Sequence, residues 1–267
     1  MVRKIISALL SAALLALSTP VGAQKPALEL NADGAQVVAL GKATDPKSGK
    51  QVEGYAIVHY RTGAAKPSGA KGGGTPSCFT YLAKGAKWKT IEPWITNPTN
   101  TRGLAGDFVL TNLTGDIAKW EDAADGVVGN GLGINILGDG SSTTTTLVAD
   151  TSSPDNQNEV YFADVSQSGA IAVTIVWGIF SGPILNRVLV EWDQVYDDVD
   201  FDWSASGEAG KMDFENIGTH ELGHSVGMGD LYESVCSEQT MFGFAATGET
   251  KKRTLEGGDI KGVDGLY

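Results

Sequence analysis

The sequence places two histidines and a glutamate where they could hold and use a metal ion. His220, Glu221 and His224 lie within Thr219–Asp230, which reads THELGHSVGMGD. On a helix, side chains four residues apart project from the same face, so both histidines could bind one ion. Glu221 would then lie beside the ion, where a general base is needed. The pattern therefore indicates metal-assisted chemistry.

Gly227 and Asp230 extend this pattern by a turn and a third ligand. Gly227 lets the chain leave the helix in a left-handed conformation, after which Asp230 can return toward the histidines. Three protein ligands with a fourth position open to water are typical of a catalytic zinc site. We therefore predict one catalytic zinc ion held by His220, His224 and Asp230. The alternative interpretation is a helix with two ordinary surface histidines.

Local signals predict the elements that would position these residues. Asp213 is a favourable helix N-cap, and the apolar residues between Phe214 and Val226 predict a helix that stops at Gly227. Hydrophobic periodicity predicts further helices at 116–124 and 259–267. It predicts strands at 54–60, 89–95, 131–137, 159–163, 170–177 and 188–196.

The first residues have the composition of a secretory signal. Arg3 and Lys4 precede an apolar run at 5–17, and Val21–Ala23 is a small-residue cleavage site. We predict a signal peptide at 1–23 and a secreted protein, extracellular or periplasmic in transit. The alternative is an uncleaved membrane anchor. No later segment predicts a membrane span, so we expect no membrane partner after signal removal.

The rest of the chain divides by composition into three segments. Residues 24–62 are predicted to be a propeptide or small N-terminal extension, residues 63–77 a flexible linker, and residues 78–267 a catalytic domain. The linker is the predicted place of proteolytic processing. Residues 24–77 carry a net charge of +3 and residues 78–267 carry −17, so the two parts should attract each other. This acidic surface argues against a nucleic-acid partner.

The cysteines and the third histidine bear on latency. An even pair of cysteines in an exported chain predicts a disulfide between Cys78 and Cys236. The alternative is that Cys78 blocks the metal in a latent precursor. His59 is predicted to be a structural histidine, and a role as a metal ligand in the latent precursor is the alternative.

An acidic stretch could bind a different metal. Carboxylate oxygens suit calcium, which makes calcium a possible additional cofactor, and the alternative is a solvated acidic loop. An EF-hand is excluded, because Trp203 and Ala209 stand where that loop needs Gly and Glu. The residues concerned are Asp193, Asp197, Asp198, Asp200 and Asp202.

These motifs together resemble the metzincin metallopeptidases, and within them the matrixins. Beyond the helix motif, Thr240–Gly243 is similar to the Met-turn that lies beneath the zinc in that family. The tail Leu255–Tyr267, LEGGDIKGVDGLY, is similar to a matrixin ending. Asp230 stands where most members have a third histidine, as in the snapalysin-type motif. The resemblance covers about residues 78–267, and its specific part is 212–267.

The resemblance implies an α+β catalytic domain with a twisted five-stranded, mostly parallel sheet. It also implies an antiparallel edge strand at 170–177, an active-site helix, a Met-turn and a C-terminal helix. Met241 would form a hydrophobic base under the zinc. The implied protein is a monomeric, secreted zinc endopeptidase in which Glu221 takes a proton from a zinc-bound water. Protein or peptide substrates would pair with the edge strand.

Two other functions fit part of the pattern. One is a catalytically weak metzincin-like protein that binds peptides or proteins, although the intact Glu221 and both histidines argue against it. The other is a hydrolase of a different bond that uses the same metal helix. The Met-turn and the tail argue against that function.

Overall fold

The fold is α+β, with a large mixed sheet that packs against helices. The computed structural model describes residues 27–30, 34–63 and 77–267, so the predicted signal peptide and most of the predicted linker lie outside the described residues. The helices are α1 (Gly106–Asp122), α2 (Phe214–Ser225) and α3 (Gly257–Asp264). The strands are β1 (Val37–Thr44), β2 (Gln51–Arg61), β3 (Trp94–Asn97), β4 (Gly140–Ser142), β5 (Asn158–Ala163), β6 (Ala170–Ile179), β7 (Val188–Asp197), β8 (Trp203–Ser204), β9 (Met212–Asp213) and β10 (Phe244–Ala245).

The main sheet combines parallel and antiparallel pairs. Its strand order is β1-β2-β6-β7-β5-β3-β4, and β10 pairs with β2. Strands β7, β5, β3 and β4 run parallel to one another, whereas β6 is antiparallel to β7. The α+β class and the mixed sheet are therefore confirmed. The sheet has eight strands rather than five, because β1, β2 and β10 are added beside β6.

The central strands are buried on both sides because both faces of the sheet are covered. All but the last residue of β6 and all but two residues of β7 are buried. One core, between the sheet and the helices, includes Phe162, Trp192 and Phe214. A second core on the opposite face includes Val173 and Val195. Burial of β-branched and aromatic side chains on both faces explains the continuous apolar runs in the sequence.

The N-terminal segment belongs to this sheet. β1 and β2 form an antiparallel hairpin, and β2 also pairs with β6 along Glu53–Tyr60. Val52, Ala56 and Val58 are buried in the second core. Strand β6, which was predicted to lie at the edge of the sheet, is therefore covered by β2.

One predicted strand is wrong. Residues 131–137 form no strand in the described chain, because they pack along the C-terminal end of α1. The backbone N–H groups of Ile136 and Leu137 donate to the side chain of Glu121 at 2.7 and 3.0 Å. Their hydrogen bonds are thus made to a helix side chain and not to a sheet.

The remaining predicted elements are present with shifted boundaries. The predicted helix at 116–124 is the second half of α1, which begins at Gly106. The predicted strand at 89–95 begins only at Trp94, as β3. None of the helices in the described part of the chain combines the length and apolarity needed to cross a membrane.

The predicted disulfide between Cys78 and Cys236 is confirmed. It joins the start of the segment 78–267 to the short 3-10 helix Ser234–Cys236, across 158 positions of sequence. Because the two sulfur atoms are bonded to each other, Cys78 does not block a metal here. The bridge closes a long loop in the unfolded chain and restricts its conformational entropy.

We predict that replacing both Cys78 and Cys236 by Ala lowers the free energy of unfolding by ~2–4 kcal/mol, because the unfolded chain regains that entropy. Chemical denaturation of the oxidised protein and the double variant measures the difference. A non-reduced digest should contain the two linked peptides, which mass spectrometry detects. Two free thiols, or equal unfolding free energies, would contradict this prediction.

Candidate metal and catalytic site

Helix α2 presents the predicted site residues from a well-defined start to a well-defined end. The Asp213 side chain accepts the backbone N–H of Asn216 at 3.0 Å, as an N-cap should. At the other end, Gly227 has φ +103°, and a Cβ atom there would lie 2.9 Å from the carbonyl oxygen of Ala86. The predicted helix and its glycine stop are confirmed.

The turn at Gly227 brings Asp230 back to the two histidines. Asp230 Oδ1 lies 3.2 Å from His220 Nε2 and 3.4 Å from His224 Nε2. The three potential ligand atoms all lie within 4.8 Å of one another. The structure thus brings together the three residues that the sequence predicted as metal ligands.

These three atoms are buried and have no hydrogen-bond partner. A buried polar atom without a partner is costly, so a convergence of three indicates a missing bonding partner. Two imidazole nitrogens and one carboxylate oxygen form a donor set suited to zinc. The residues therefore fit a metal ion, although the geometry alone leaves the identity of the metal open.

The other ring nitrogens of both histidines are fixed by the backbone. His220 Nδ1 lies 2.7 Å from the carbonyl oxygen of Thr240, and His224 Nδ1 lies 3.0 Å from that of Met228. A carbonyl can only accept, so each Nδ1 carries the proton and each Nε2 keeps a lone pair that could bind a metal ion. Tyr232 O–H donates to Asp230 Oδ2 at 2.8 Å, which leaves Asp230 Oδ1 directed at the histidines.

The electrostatic environment favours a cation. Burial would by itself raise the pKa of Asp230, but His224 and contacts with both histidines hold that pKa well below its usual value. Burial lowers the pKa of His220 to about 3, with a further contribution from Lys252. Burial also acts to lower the pKa of His224, but the Asp230 carboxylate outweighs it and raises that pKa. An ionised Asp230 beside two imidazole nitrogens is a group that a bound metal ion would stabilise.

Met241 lies directly beneath the helix. A methyl group added at Gly223, between the two histidines, would collide with the Met241 sulfur atom. Asp259 of α3 fixes the turn that contains Met241, because its carboxylate accepts the backbone N–H groups of Thr240 at 2.8 Å and Met241 at 3.2 Å. Helix α3 thus holds in place the turn whose Met241 side chain packs beneath α2.

Glu221 is fully buried beside the histidines and has two partners. Its Oε2 accepts the hydroxyl of Thr174, on β6, at 2.6 Å. Its Oε1 lies 2.9 Å from His59 Nδ1, on β2. Burial raises the pKa of Glu221 to about 7, which is a suitable range for a general base.

The sequence analysis missed Lys252 as a partner of the site, and it considered His59 only as a structural histidine or a metal ligand, not as a partner of Glu221. The sequence carries no local signal for them, because His59 lies 162 positions from Glu221 and reaches it through strand pairing. Lys252 Nζ is fully buried, lies 3.1 Å from His59 Nε2 and donates to the carbonyl oxygen of Phe242. Burial lowers the pKa of Lys252 to about 8.

His59 itself is not placed as a metal ligand. Its ring lies 3.8 Å from that of His220, and an alternative group of His59, His220 and Glu221 also has ligand atoms within 4.8 Å. Both His59 nitrogens, however, already have partners in Glu221 and Lys252. The ligand atoms without a partner are those of His220, His224 and Asp230. His59 therefore lies against the candidate metal site without being one of its ligands.

The acidic stretch at 193–202, which the sequence left open as a calcium site or a solvated loop, does not form a set of metal ligands within the described chain. Asp197 and Asp198 accept backbone N–H groups, from Val199 at 2.8 Å and Thr101 at 2.7 Å respectively. Asp202 pairs with Arg102 at 3.0 Å. These carboxylates therefore stabilise loops.

A scan against protein-family models and a search of curated proteins find no match to this chain. The assignment of the site therefore depends on its geometry and on the motifs themselves.

We predict that the protein holds about one zinc ion per chain and that His220→Ala/His224→Ala abolishes binding, because both imidazole ligands are lost. Elemental analysis after reconstitution and dialysis measures the metal content.

His59→Ala is the matched control for this experiment. It removes a neighbouring histidine that has other partners, so it should keep about one zinc ion. Undiminished zinc in the double variant would contradict the assignment, and loss of zinc from His59→Ala would make His59 a ligand.

Proposed function

We propose that this chain is a secreted zinc-dependent endopeptidase of the metzincin type, similar to matrixins but with Asp230 as the third ligand. The observation that carries the proposal is the convergence of three unpartnered ligand atoms beside Glu221. The buried Met241 beneath α2 and the support from Asp259 agree with it. The Cys78–Cys236 disulfide supports an oxidising compartment.

In this proposal the protein residues position the reactants and move one proton. Zinc, when bound, supplies Lewis-acid polarisation of the scissile carbonyl and lowers the pKa of water. Glu221 accepts a proton from the attacking water and delivers it to the departing amine. Thr174 orients the Glu221 carboxylate through their hydrogen bond. Tyr232 orients Asp230 in the same way.

Strand β6 is the proposed binding site for substrate. An extended peptide that pairs with β6 would gain backbone hydrogen bonds along a strand adjacent to the site. A cavity of about 530 Å³ beside β6 reaches Asp230 and Tyr232 and is large enough for a side chain of such a peptide. Leu82, Val176 and Phe180 contribute to the apolar lining that remains when residues 24–62 are lost.

We predict that Glu221→Ala retains zinc but loses roughly 10²–10⁴-fold in the rate of casein hydrolysis by the matured enzyme, because proton transfer is no longer assisted. Glu208→Ala removes an exposed glutamate outside the site and is the matched control. Near-normal proteolysis by Glu221→Ala would show that another residue is the base. A wild-type protein that binds peptides but never cleaves them would favour the catalytically weak alternative.

The proposal includes a closed precursor, because the described site is inaccessible. His220, Glu221 and His224 are each 0 % exposed. Strand β2 pairs with β6 along Glu53–Tyr60, where a substrate would have to pair. The His59 side chain contacts the Glu221 carboxylate, so the proposed general base is not free to act. Residues 24–62 are therefore proposed to be a propeptide that blocks the site.

The hairpin β1–β2 is held by more than the linker. Val52, Ala56 and Val58 are buried, and burial of such apolar side chains contributes about 0.8 kcal/mol for each methylene group. Cleavage of the linker alone should therefore leave the hairpin bound. Activation requires that the hairpin also dissociate or be degraded.

We predict that cleavage between Thr62 and Ser77 gives a noncovalent complex with low activity, and that activity rises when residues 24–62 are lost, because β6 and Glu221 are then free. Size-exclusion chromatography, N-terminal sequencing and casein assays on the same fractions measure this. A fully active enzyme that still begins at Gln24 would contradict the closed-precursor proposal without affecting the zinc assignment.

A further inference from the structure

Lys252 is a fully buried cation that the proposed proton transfer does not use. It lies in the short 3-10 helix Lys251–Arg253, which precedes α3. None of the ion pairs among the described residues includes it. Burial lowers its pKa to about 8, and the charges of Glu249, Asp230 and Glu221 oppose that effect. The side chain is therefore mostly protonated at neutral pH, and a buried charge of this kind requires polar partners.

The partners of Lys252 Nζ are the carbonyl oxygen of Phe242 and the side chain of His59. An ammonium group can only donate, so His59 Nε2 accepts from Lys252 at 3.1 Å, and His59 Nδ1 donates to Glu221 Oε1 at 2.9 Å. The His59 ring also lies 3.8 Å from that of His220. One polar side chain of β2 thus fills the space between a buried cation and the proposed general base.

The backbone around Lys252 is fixed to the start of α2 and not to β2. The Lys252 backbone N–H donates to Asn216 Oδ1 at 2.8 Å. The next residue, Arg253, donates to the two carboxylate oxygens of Asp213 at 2.8 and 2.6 Å. These contacts, and the one with the Phe242 carbonyl oxygen, do not involve residues 24–62. The cation therefore keeps its place in the site when those residues are lost.

Strand β2 lies where an extended substrate is proposed to bind. It runs antiparallel to β6 along Glu53–Tyr60, and Tyr60 and Arg61 pair in parallel with β10. A substrate strand that takes the same place and register presents one side chain at the position of His59. That side chain would extend toward Lys252 Nζ. Because His59 also contacts Glu221, this substrate residue lies immediately beside the cleaved bond.

We propose that Lys252 determines substrate specificity by selecting Gln or Glu at the substrate position that corresponds to His59. The inference rests on the proposed function, for which it specifies a substrate class. Loss of His59 removes one of the two acceptors that Lys252 Nζ has among the described residues. The side-chain oxygen of Gln or Glu extends about as far from the backbone as His59 Nε2, and it can accept the freed N–H group of Lys252. Such a bond to a buried ammonium group is charge-assisted and therefore strong.

Other side chains fit this position less well. Met has about the length of Gln but offers no comparable acceptor, so the buried ammonium group would stay without its second partner. Lys would place a second positive charge against Lys252. Asp has an acceptor oxygen but is one methylene group shorter than Glu. The pocket therefore distinguishes substrates by an acceptor oxygen at one distance from the backbone and not by apolar bulk.

Peptides that differ at one residue test the proposal on the enzyme matured from the full-length chain. Mass spectrometry of a digested peptide mixture should show Gln and Glu enriched at one position beside the cut bond. In matched peptides, kcat/KM with Gln or Glu at that position should exceed kcat/KM with Met by about 10–100-fold, the usual strength of a hydrogen bond to a charged group. Lys252→Met should lose this preference while it retains zinc and still cleaves the Met peptide, whereas a purely structural role would lower the rate for all peptides alike. Lys251→Met is the matched control, because Lys251 donates to Ser237 outside the pocket, and it should keep the preference.

A second measurement leaves the enzyme unchanged and keeps the test decisive if Lys252→Met folds poorly. Synthetic peptides with the sequence 51–62 are compared as inhibitors of the matured wild type. The peptide with His59→Gln should inhibit at least about tenfold more strongly than the peptide with His59→Met. Equal inhibition by the two peptides, equal cleavage of the Gln, Glu and Met substrates by the wild type, or an unchanged preference in Lys252→Met would overturn this inference alone. A matured wild type that cleaves none of the peptides would overturn the proposed function and this inference with it.

Discussion

The structure is organised around three lone pairs that meet inside the protein. His220 Nε2, His224 Nε2 and Asp230 Oδ1 are buried, and none of them has a hydrogen-bond partner. Neighbouring backbone groups and Tyr232 occupy the other polar atoms of these side chains, so the rings and the carboxylate cannot turn away without losing bonds. Such an arrangement is costly unless a cation joins the three atoms. A metal ion bound here would therefore contribute to folding stability as well as to the proposed chemistry.

Other parts of the fold serve this convergence. Gly227 permits the turn that returns Asp230, and Gly223 leaves room for Met241 below the helix. Asp259 connects α3 to the Met241 turn, which explains why a helix distant in sequence belongs to the site. On the sheet side, Thr174 of β6 reaches Glu221. The site thus unites α2, the segment after it, α3 and the sheet, and β2 closes it from solvent.

The part of the site that follows helical spacing could be predicted from the sequence, and the part that depends on strand pairing could not. His220, Glu221 and His224 are related by the period of one helix, and Asp213 and Gly227 mark its ends. The contact between His59 and Glu221 depends on the register of β2 against β6, for which no short-range pattern exists. The sequence signal for the strands predicted at 159–163, 170–177 and 188–196 is strong because these strands are buried on both faces. The error at 131–137 arose because apolar spacing cannot distinguish a strand from a loop that packs on a helix.

X-ray absorption at the zinc edge of the purified protein tests the central claim most directly. The proposed site predicts a spectrum with two imidazole nitrogens at about 2.0–2.1 Å and carboxylate or water oxygens at about 2.0–2.2 Å. Asp230→Ala should alter the oxygen shell while the two imidazoles remain. A spectrum without imidazole scattering, or one dominated by sulfur ligands, would contradict the account.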